Sequence, residues 1–364
     1  MKIAFYGSSL VSSYWNGAAT YYRGILGALA KLGHEVTFYE PDVLDRQKNR
    51  DIDPPDWCRS VVYDGTEAAL RRAAAEVAEA DVVVKTSGVG FMDDTLLEAV
   101  FAAASPGALR IWWDVDAPAT LSEIEPQPDH PIRRALQRDV DLVLTYGGGP
   151  PVTQAYERLG PAPCVPIYNA VDPATHHPVA PDPRFDADLA LLANRLPDRE
   201  ARIDDFFLSV AERLPDRRFL LGGAGWDDKA VADNVRLLGH VPTRDHNALN
   251  CTALAVLNVN RASMAQTGWS PATRIFEAAG AGACLITDAW PGIDMFLETG
   301  KEILVARDGR DMEEILSGLT RPRAAEIGQR ALSRVLAEHT YEKRALELDA
   351  VLVERLAHLR ETAA

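Results

Sequence analysis

The sequence predicts an α/β protein made of two doubly wound parallel sheets. Three observations carry that expectation. Apolar runs of five or six residues recur between helical stretches, the pattern of parallel strands buried on both faces. A proline-rich stretch without periodicity, 169–188, interrupts this alternation, and the same texture resumes after it. The length, 364 residues, fits two domains of ordinary size. The expected division is an N-terminal domain over 1–170, a connection over 171–188, a second domain over 189–338 and a terminal helix over 339–364.

The chain enters a strand at once, KIAFYG at 2–7. GAATYYRGILGALAKLG (17–33) follows as a helix closed by Gly33, and HEVTFYE (34–40) is the next strand. ADVVVKTS, ALRIWWD and VDLVLTY are further strands, with helical stretches such as 66–79 and 93–104 between them. In the second half, strands are expected at 189–194, 217–223, 253–260 and 283–288, and helices at 200–214 and 271–281. The charged segment from about 321 to 360 reads as helical, with a break inside EHTYEKR (338–344). Ligands of such sheets bind beyond the carboxyl ends of the strands, so the loops there hold the candidate site.

Composition excludes several function classes. Hydrophobic content of 47% with 25% charged residues is that of a soluble globular chain. A net charge of −15 opposes general binding to nucleic acid or to an anionic membrane. The four cysteines form no C-x-x-C pair and read as reduced thiols of a cytoplasmic protein. MKIAFYGSS carries no signal-peptide pattern, and no apolar run approaches the ~20 residues of a spanning helix.

The most informative stretch is SPATRIFEAAGAGACLITD, 270–288. Ser270 before Pro271 is a standard helix start, with the serine as N-cap and the proline at the first helical position. On that reading Ser270, Thr273, Arg274 and Glu277 share one face, and Ile275, Phe276 and Ala279 turn toward a core. Free amides at the helix start suit a phosphate, and Arg274 adds a charge-assisted contact. Glu277, one turn on, can accept two hydrogen bonds from vicinal hydroxyls such as those of a ribose. A capped helix with an Arg274–Glu277 surface pair gives the same pattern, so the helix alone leaves both readings open.

TRIFEAAGAGACLITD resembles the donor-binding segment of GT-B glycosyltransferases, in which a glutamate holds the ribose of a nucleotide-sugar. Together with LSRVLAEHTYEKRALEL (332–348) it is similar to the CgeB, or spore-maturation, type within the glycosyl transferases group 1. The resemblance runs over 190–348 and more loosely over 1–168, on SYWNGAATYYRGILGALAKLGHEVTFYE and DLVLTYGGG. It implies a GT-B fold: two facing Rossmann-like domains, acceptor mostly on the first and donor mostly on the second, with a C-terminal helix returning toward the first. Many retaining members carry E-x7-E. Glu277 fits the second acid, but Trp269 stands where the first would be.

Other positions follow from this layout. Arg195, Arg199 and Arg202 come after the first strand of the second half, and the resemblance puts a basic residue there on the donor diphosphate, with Arg195 preferred as closest to the strand end. The resemblance also makes His240, Val241 and Pro242 a wall for the nucleobase. Asn258, Asn260 and Arg261 end a strand beneath the expected sugar and phosphates. Asn16 and Gly17 open the first helix, where a small residue admits a phosphate or an acceptor. No G-x-G-x-x-G is present, which disfavours a dinucleotide site and a dehydrogenase. Asp114 and Asp116 end another strand. A D-x-D metal site and a turn before Ala-Pro both compete there with Asp116 as the base toward an acceptor hydroxyl, the role assigned to it.

The function expected is transfer of a sugar from a nucleotide-diphosphate sugar to a small-molecule or glycan acceptor. Arginine and helix amides would stabilise the diphosphate, with no metal and no cofactor beyond the donor substrate. A nucleotide-sugar isomerase, a phosphorolytic GT-B relative and a non-catalytic two-lobed ligand-binding protein are the alternatives. Base, sugar, acceptor, stereochemistry and oligomeric state are not fixed by the sequence.

Overall fold

The computed structural model describes residues 1–14 and 16–363. The chain forms two compact units, Met1–Tyr168 with Tyr341–Ala364, and Asn169–Thr340.

The first unit holds a seven-stranded parallel sheet: β1 (Lys2–Tyr6), β2 (Glu35–Asp42), β3 (Cys58–Asp64), β4 (Val82–Thr86), β5 (Leu109–Asp114), β6 (Leu142–Thr145) and β7 (Cys164–Pro166), in the order 3-2-1-4-5-6-7. Side-chain alternation sorts the two faces. Tyr6, Val83, Trp112 and Val143 point to one face, under helices Glu67–Ala75, Asp93–Ala103, Pro131–Arg138 and Gly149–Leu159. Phe5 and Trp113 point to the other. There Phe5 meets Tyr22 of helix Ala19–Lys31, with ring centroids 5.2 Å apart, and Phe38 of β2 at 5.3 Å. The terminal helix Tyr341–Ala363 belongs to this unit and lies along helix Ala19–Lys31. His34 Nε2 reaches Asp349 at 3.0 Å, and Gly24 faces the Tyr341 ring. A Cβ on Gly24 would fall 2.2 Å from Tyr341 Cδ2. Gly24→Ala should therefore cost about 1–3 kcal/mol by overpacking, read as a lowered urea midpoint.

The second unit repeats the design. Its strands are β8 (Leu189–Leu192), β9 (Phe219–Gly222), β10 (Val235–Gly239), β11 (Ala255–Asn258), β12 (Leu285–Asp288) and β13 (Leu304–Ala306), all parallel, ordered 10-9-8-11-12-13. Both sheets thus have the Rossmann order, in which the chain reverses direction beside the first strand. β8 and β11 are neighbours at that switch point, with Leu191 opposite Leu257. The helix after β8 runs Pro197–Ile203, passes through a π turn at Asp204–Leu208 and ends at Arg213.

The proline-rich segment read as a connection is packed within this unit. Val171 N donates to the His339 carbonyl at 2.9 Å, Ala187 O accepts from Leu254 N at 2.9 Å, and Val171, His176, Phe185 and Ala187 are buried. Gly280 makes room for it, since a Cβ there would meet Val171 Cγ2 at 2.5 Å. The break expected in 338–344 is the gap at His339 and Thr340 between helices Arg321–Glu338 and Tyr341–Ala363. Strands β3, β7 and β13 escaped the sequence reading. All three are edge strands, and β7 and β13 have three residues each, too few to show a period.

Candidate functional site

The switch point of the second unit collects basic side chains. Helix Pro197–Ile203 brings Arg199 and Arg202, the loop after β11 brings Asn260 and Arg261, and helix Thr273–Gly280 brings Thr273, Arg274 and Glu277. Arg202 is neutralised: its Nη2 donates to Asp288 Oδ2 at 2.6 Å. Asp288 is wholly buried at the end of β12 and also accepts from Asn260 N at 3.0 Å. Burial raises its pKa, against the Asn260 amide and Arg202.

Arg199 and Arg274 are different, and Arg261 is paired. Arg261 Nε donates to Asp198, and Arg199 Nη2 donates to the Asn194 carbonyl at 2.8 Å. Burial lowers the pKa of Arg199; Asp198 opposes this, and the charges of Arg274 and Arg261 push it further down. The charges of Arg274 and Arg261 thus both bear on Arg199. Arg199 Nε and Arg274 Nη1 are sealed from solvent with no hydrogen-bond partner among the described residues. Burial lowers the pKa of Arg274, and the opposing charge is Glu277, one turn along. Orphaned charged donors cost on the order of 1–3 kcal/mol or more each, a cost native structures keep at functional sites. An anion with several oxygens would satisfy Arg199 and Arg274, while Arg261 keeps Asp198 as its partner.

The helix that carries Arg274 starts later than the sequence implied. Ser270 does not cap it and Pro271 is not its first residue; Ala272 occupies the capping position and no side chain caps the first turn. Asn169 Nδ2 donates to the Pro271 carbonyl at 3.2 Å and holds it outside the helix. Ser270 is buried instead, and Trp269 before it adopts φ 46, a left-handed conformation. Trp269 N donates to Pro291 O at 2.7 Å, and its ring lies against Gly292, where a Cβ would come within 2.2 Å of Trp269 Cδ1. Such backbone strain in a non-glycine residue costs about 1–3 kcal/mol. Without a side-chain cap, the first-turn amides, beginning at Thr273, are in the state that receives an anion.

Glu277 is half-buried, and its carboxylate Oε1 lies 3.8 Å from His176 Nε2. His246, on helix Thr243–Thr252, completes a group of three, with a ring nitrogen of each histidine and a Glu277 oxygen all within 4.8 Å of one another. Burial, then the charge of Arg274, lowers the pKa of His246, against the charge of Glu277. Sequence reasoning missed both histidines. His176 lies in the segment taken for a connection, about a hundred residues before Glu277, and no spacing rule links them.

Other candidate residues are placed as follows. Arg195, preferred in the sequence for the diphosphate, is committed elsewhere: Nη2 reaches Glu200 and Nη1 reaches Asp228, both at 2.8 Å. Arg199, four residues on, keeps a buried Nε without a partner among the described residues. Val241 is buried and its carbonyl is 3.2 Å from His246 Nε2, whereas His240 is exposed. Asn260 Oδ1 accepts from Asn258 Nδ2 at 3.1 Å, and its own Nδ2 is sealed without a partner.

In the first unit, Asn16 is a loop clamp rather than a ligand contact. Its Nδ2 donates to the Ser9 and Ser12 carbonyls, both at 2.9 Å, and Oδ1 accepts from Ser8 Oγ at 2.8 Å. All of its polar capacity toward the chain is used, so Asn16 has nothing left to offer a phosphate. Gly17 is exposed, with open space where a Cβ would go. Asp114 is wholly buried at the end of β5. It accepts from Ser87 Oγ at 2.7 Å, Asp116 N at 2.9 Å, Thr120 Oγ1 at 3.1 Å and the Tyr156 hydroxyl. Burial raises its pKa against these four donors. Asp114 is thus a structural acid, its oxygens spent on the chain rather than on a D-x-D metal. Asp116 is half-buried at the cap position of helix Ala117–Ile124. Asp114→Asn should destabilise the first unit by about 2–4 kcal/mol, because the amide turns an acceptor into a donor facing other donors. A fall in the melting temperature checks this.

Comparison with known proteins follows the same lines. Residues 199–350 match the family described as glycosyl transferase-like. No curated protein sequence matches the chain. Among solved structures, sucrose-phosphate synthase from Thermosynechococcus elongatus is similar at TM-score 0.68 and 14% identity, over 98% of this chain and 100% of that one. HepE from Anabaena, in complex with UDP and glucose, is similar at TM-score 0.67 and 14% identity, over 97% of this chain and 100% of that one. AviGT4, a glycosyltransferase involved in avilamycin A biosynthesis, is similar at TM-score 0.63 and 20% identity, over 98% of both chains. The chain thus has the GT-B fold, with the glycosyl transferase-like family matched over part of its second half.

Proposed function

We propose that this protein is a glycosyltransferase that moves a sugar from a nucleotide-diphosphate sugar to an acceptor hydroxyl. One observation carries the reading: Arg199 Nε and Arg274 Nη1 are buried without a hydrogen-bond partner among the described residues, and Arg274 sits in the first turn of a helix with no side-chain cap, one turn before Glu277. That places positive charge and free amides beside a carboxylate, the order of diphosphate and ribose along a nucleotide. HepE was solved with UDP and glucose, so UDP is the first nucleotide to test.

In this reading Arg274, Arg199 and the first-turn amides hold the diphosphate, and their field stabilises the charge that grows on it as the glycosidic bond breaks. Arg261 keeps Asp198 as counter-ion and adds to the same field. Glu277 accepts hydrogen bonds from the ribose 2′ and 3′ hydroxyls. Val241 and His240 flank the base. Asp116 takes the proton of the acceptor hydroxyl as the new bond forms. The diphosphate needs no divalent ion, so chelators should not slow transfer.

The test is release of free nucleoside diphosphate from UDP-, GDP- and dTDP-sugars, with and without a panel of sugar acceptors. Acceptor-dependent release supports transfer. Release that requires inorganic phosphate points to a phosphorolytic relative, and binding without any release points to a ligand-binding protein. Asp116→Asn should lower kcat by about 10²–10⁴-fold with nucleotide affinity unchanged. A parallel loss of affinity would remove Asp116 from the role of base.

A further inference from the structure

We propose that His176, His246 and Glu277 form a binding site for a transition-metal ion of the zinc class. The hydrogen bonds around the two histidines suit the tautomers that a metal ion needs. Thr175 Oγ1 donates to the Asp172 carbonyl at 3.1 Å, so toward His176 Nδ1, 3.0 Å away, the hydroxyl is an acceptor. In the tautomer that holds a metal, His176 Nδ1 donates to this hydroxyl and Nε2 carries the lone pair. His176 is buried, and its Nε2 faces Glu277 Oε1 at 3.8 Å. Two acceptors thus face each other across a gap too long for a hydrogen bond, and a cation between them resolves the contact. Two ligands of a tetrahedral zinc ion, at about 2.0–2.2 Å each, lie about 3.4 Å apart, within a small side-chain adjustment of that gap.

His246 supplies the third ligand. The Val241 carbonyl, 3.2 Å from Nε2, can only accept, which puts the hydrogen on Nε2 and leaves Nδ1 basic. Each imidazole thus has an oxygen beside one nitrogen and the other left for a metal, as metal-bound histidines do. Two nitrogens and one carboxylate favour zinc, cobalt or nickel over magnesium or calcium. Three protein ligands leave a fourth position open. The three residues come from separate parts of the second unit: the 169–188 segment, helix Thr243–Thr252 and helix Thr273–Gly280. The charge of Arg274, which bears on both His246 and Glu277, opposes a cation, so binding weaker than at a closed structural site is expected.

Metal binding is independent of the nucleotide reading, since it is measured with no nucleotide present. The full chain is titrated with Co²⁺, following the visible absorption of a four-coordinate ion, and Zn²⁺ is then added to displace it. The expected result is saturation at one ion per chain. His246→Gln, His176→Gln and Glu277→Gln should each weaken it more than about 10-fold, and thermal melts show whether each variant is folded. The proposal is overturned if no saturable binding occurs, as when a proton rather than a metal fills the gap, or if folded His246→Gln and Glu277→Gln bind Co²⁺ as the parent does. Under the nucleotide reading, ion and UDP compete for Glu277. A chain that binds Co²⁺ through these residues but shows no competition with UDP would retain the metal site and count against the ribose role of Glu277.

Discussion

Glu277→Gln should weaken nucleotide binding by at least about 100-fold while the ligand-free protein keeps nearly its full stability. Two hydrogen bonds from ribose hydroxyls to a carboxylate, at about 1.5–3 kcal/mol each, exceed the ~2.7 kcal/mol that 100-fold requires. Glutamine keeps the shape but offers one acceptor oxygen and turns a donor toward the diol. The fold has little at stake in this side chain. It is half-buried, with His176 Nε2 3.8 Å away and the charge of Arg274 bearing on it. Only the lost compensation of Arg274 should lower the melting temperature, and by little. Titration calorimetry with UDP and with uridine checks the claim. Both ligands carry the diol, so both should lose affinity in this variant.

Arg274→Met should move stability and affinity in opposite directions. The parent carries a guanidinium whose Nη1 is buried without a partner, at a cost of about 1–3 kcal/mol. Methionine fills similar space without that charge, so the ligand-free variant should unfold at a higher urea concentration by a comparable free energy. It also relieves the repulsion felt by Arg199. UDP affinity should fall by about 10- to 100-fold with the loss of one charge-assisted phosphate contact, while uridine affinity should be unchanged. Glu277→Gln and Arg274→Met thus separate the sugar end of the ligand from its phosphate end. A drop in ligand-free stability for Arg274→Met would show that the guanidinium is held by the fold and is not poised for an anion.

Much of the architecture was legible because buried parallel strands are local features. KIAFYG, ADVVVKTS and ALAVLNVN announce themselves by apolar runs, and each lies on a strand of the structure. The Arg274–Glu277 face was legible too, since both residues lie on one short helix. What was missed depends on contacts distant in sequence. The cap at Ser270 failed because Asn169, about a hundred residues earlier, holds the Pro271 carbonyl out of the helix. Arg195 looked best by its position at the strand end, yet Glu200 and Asp228 claim it, and Asp228 lies beyond β9. His176 and His246 have no local signature at all, and only the folding of the 169–188 segment against Gly280 brings the first of them to Glu277.

The central claim is that the arginine cluster and Glu277 together grip a nucleoside diphosphate. Thermal unfolding of the full chain with UDP, GDP, dTDP and CDP tests it most directly. At about 100-fold excess over Kd, the matching nucleotide should add roughly 2.7 kcal/mol of stability, and Arg274→Met and Glu277→Gln should each remove most of that gain. If none of the four raises the melting temperature, or if one does so equally in both variants, the site described here is not where this protein holds a nucleotide.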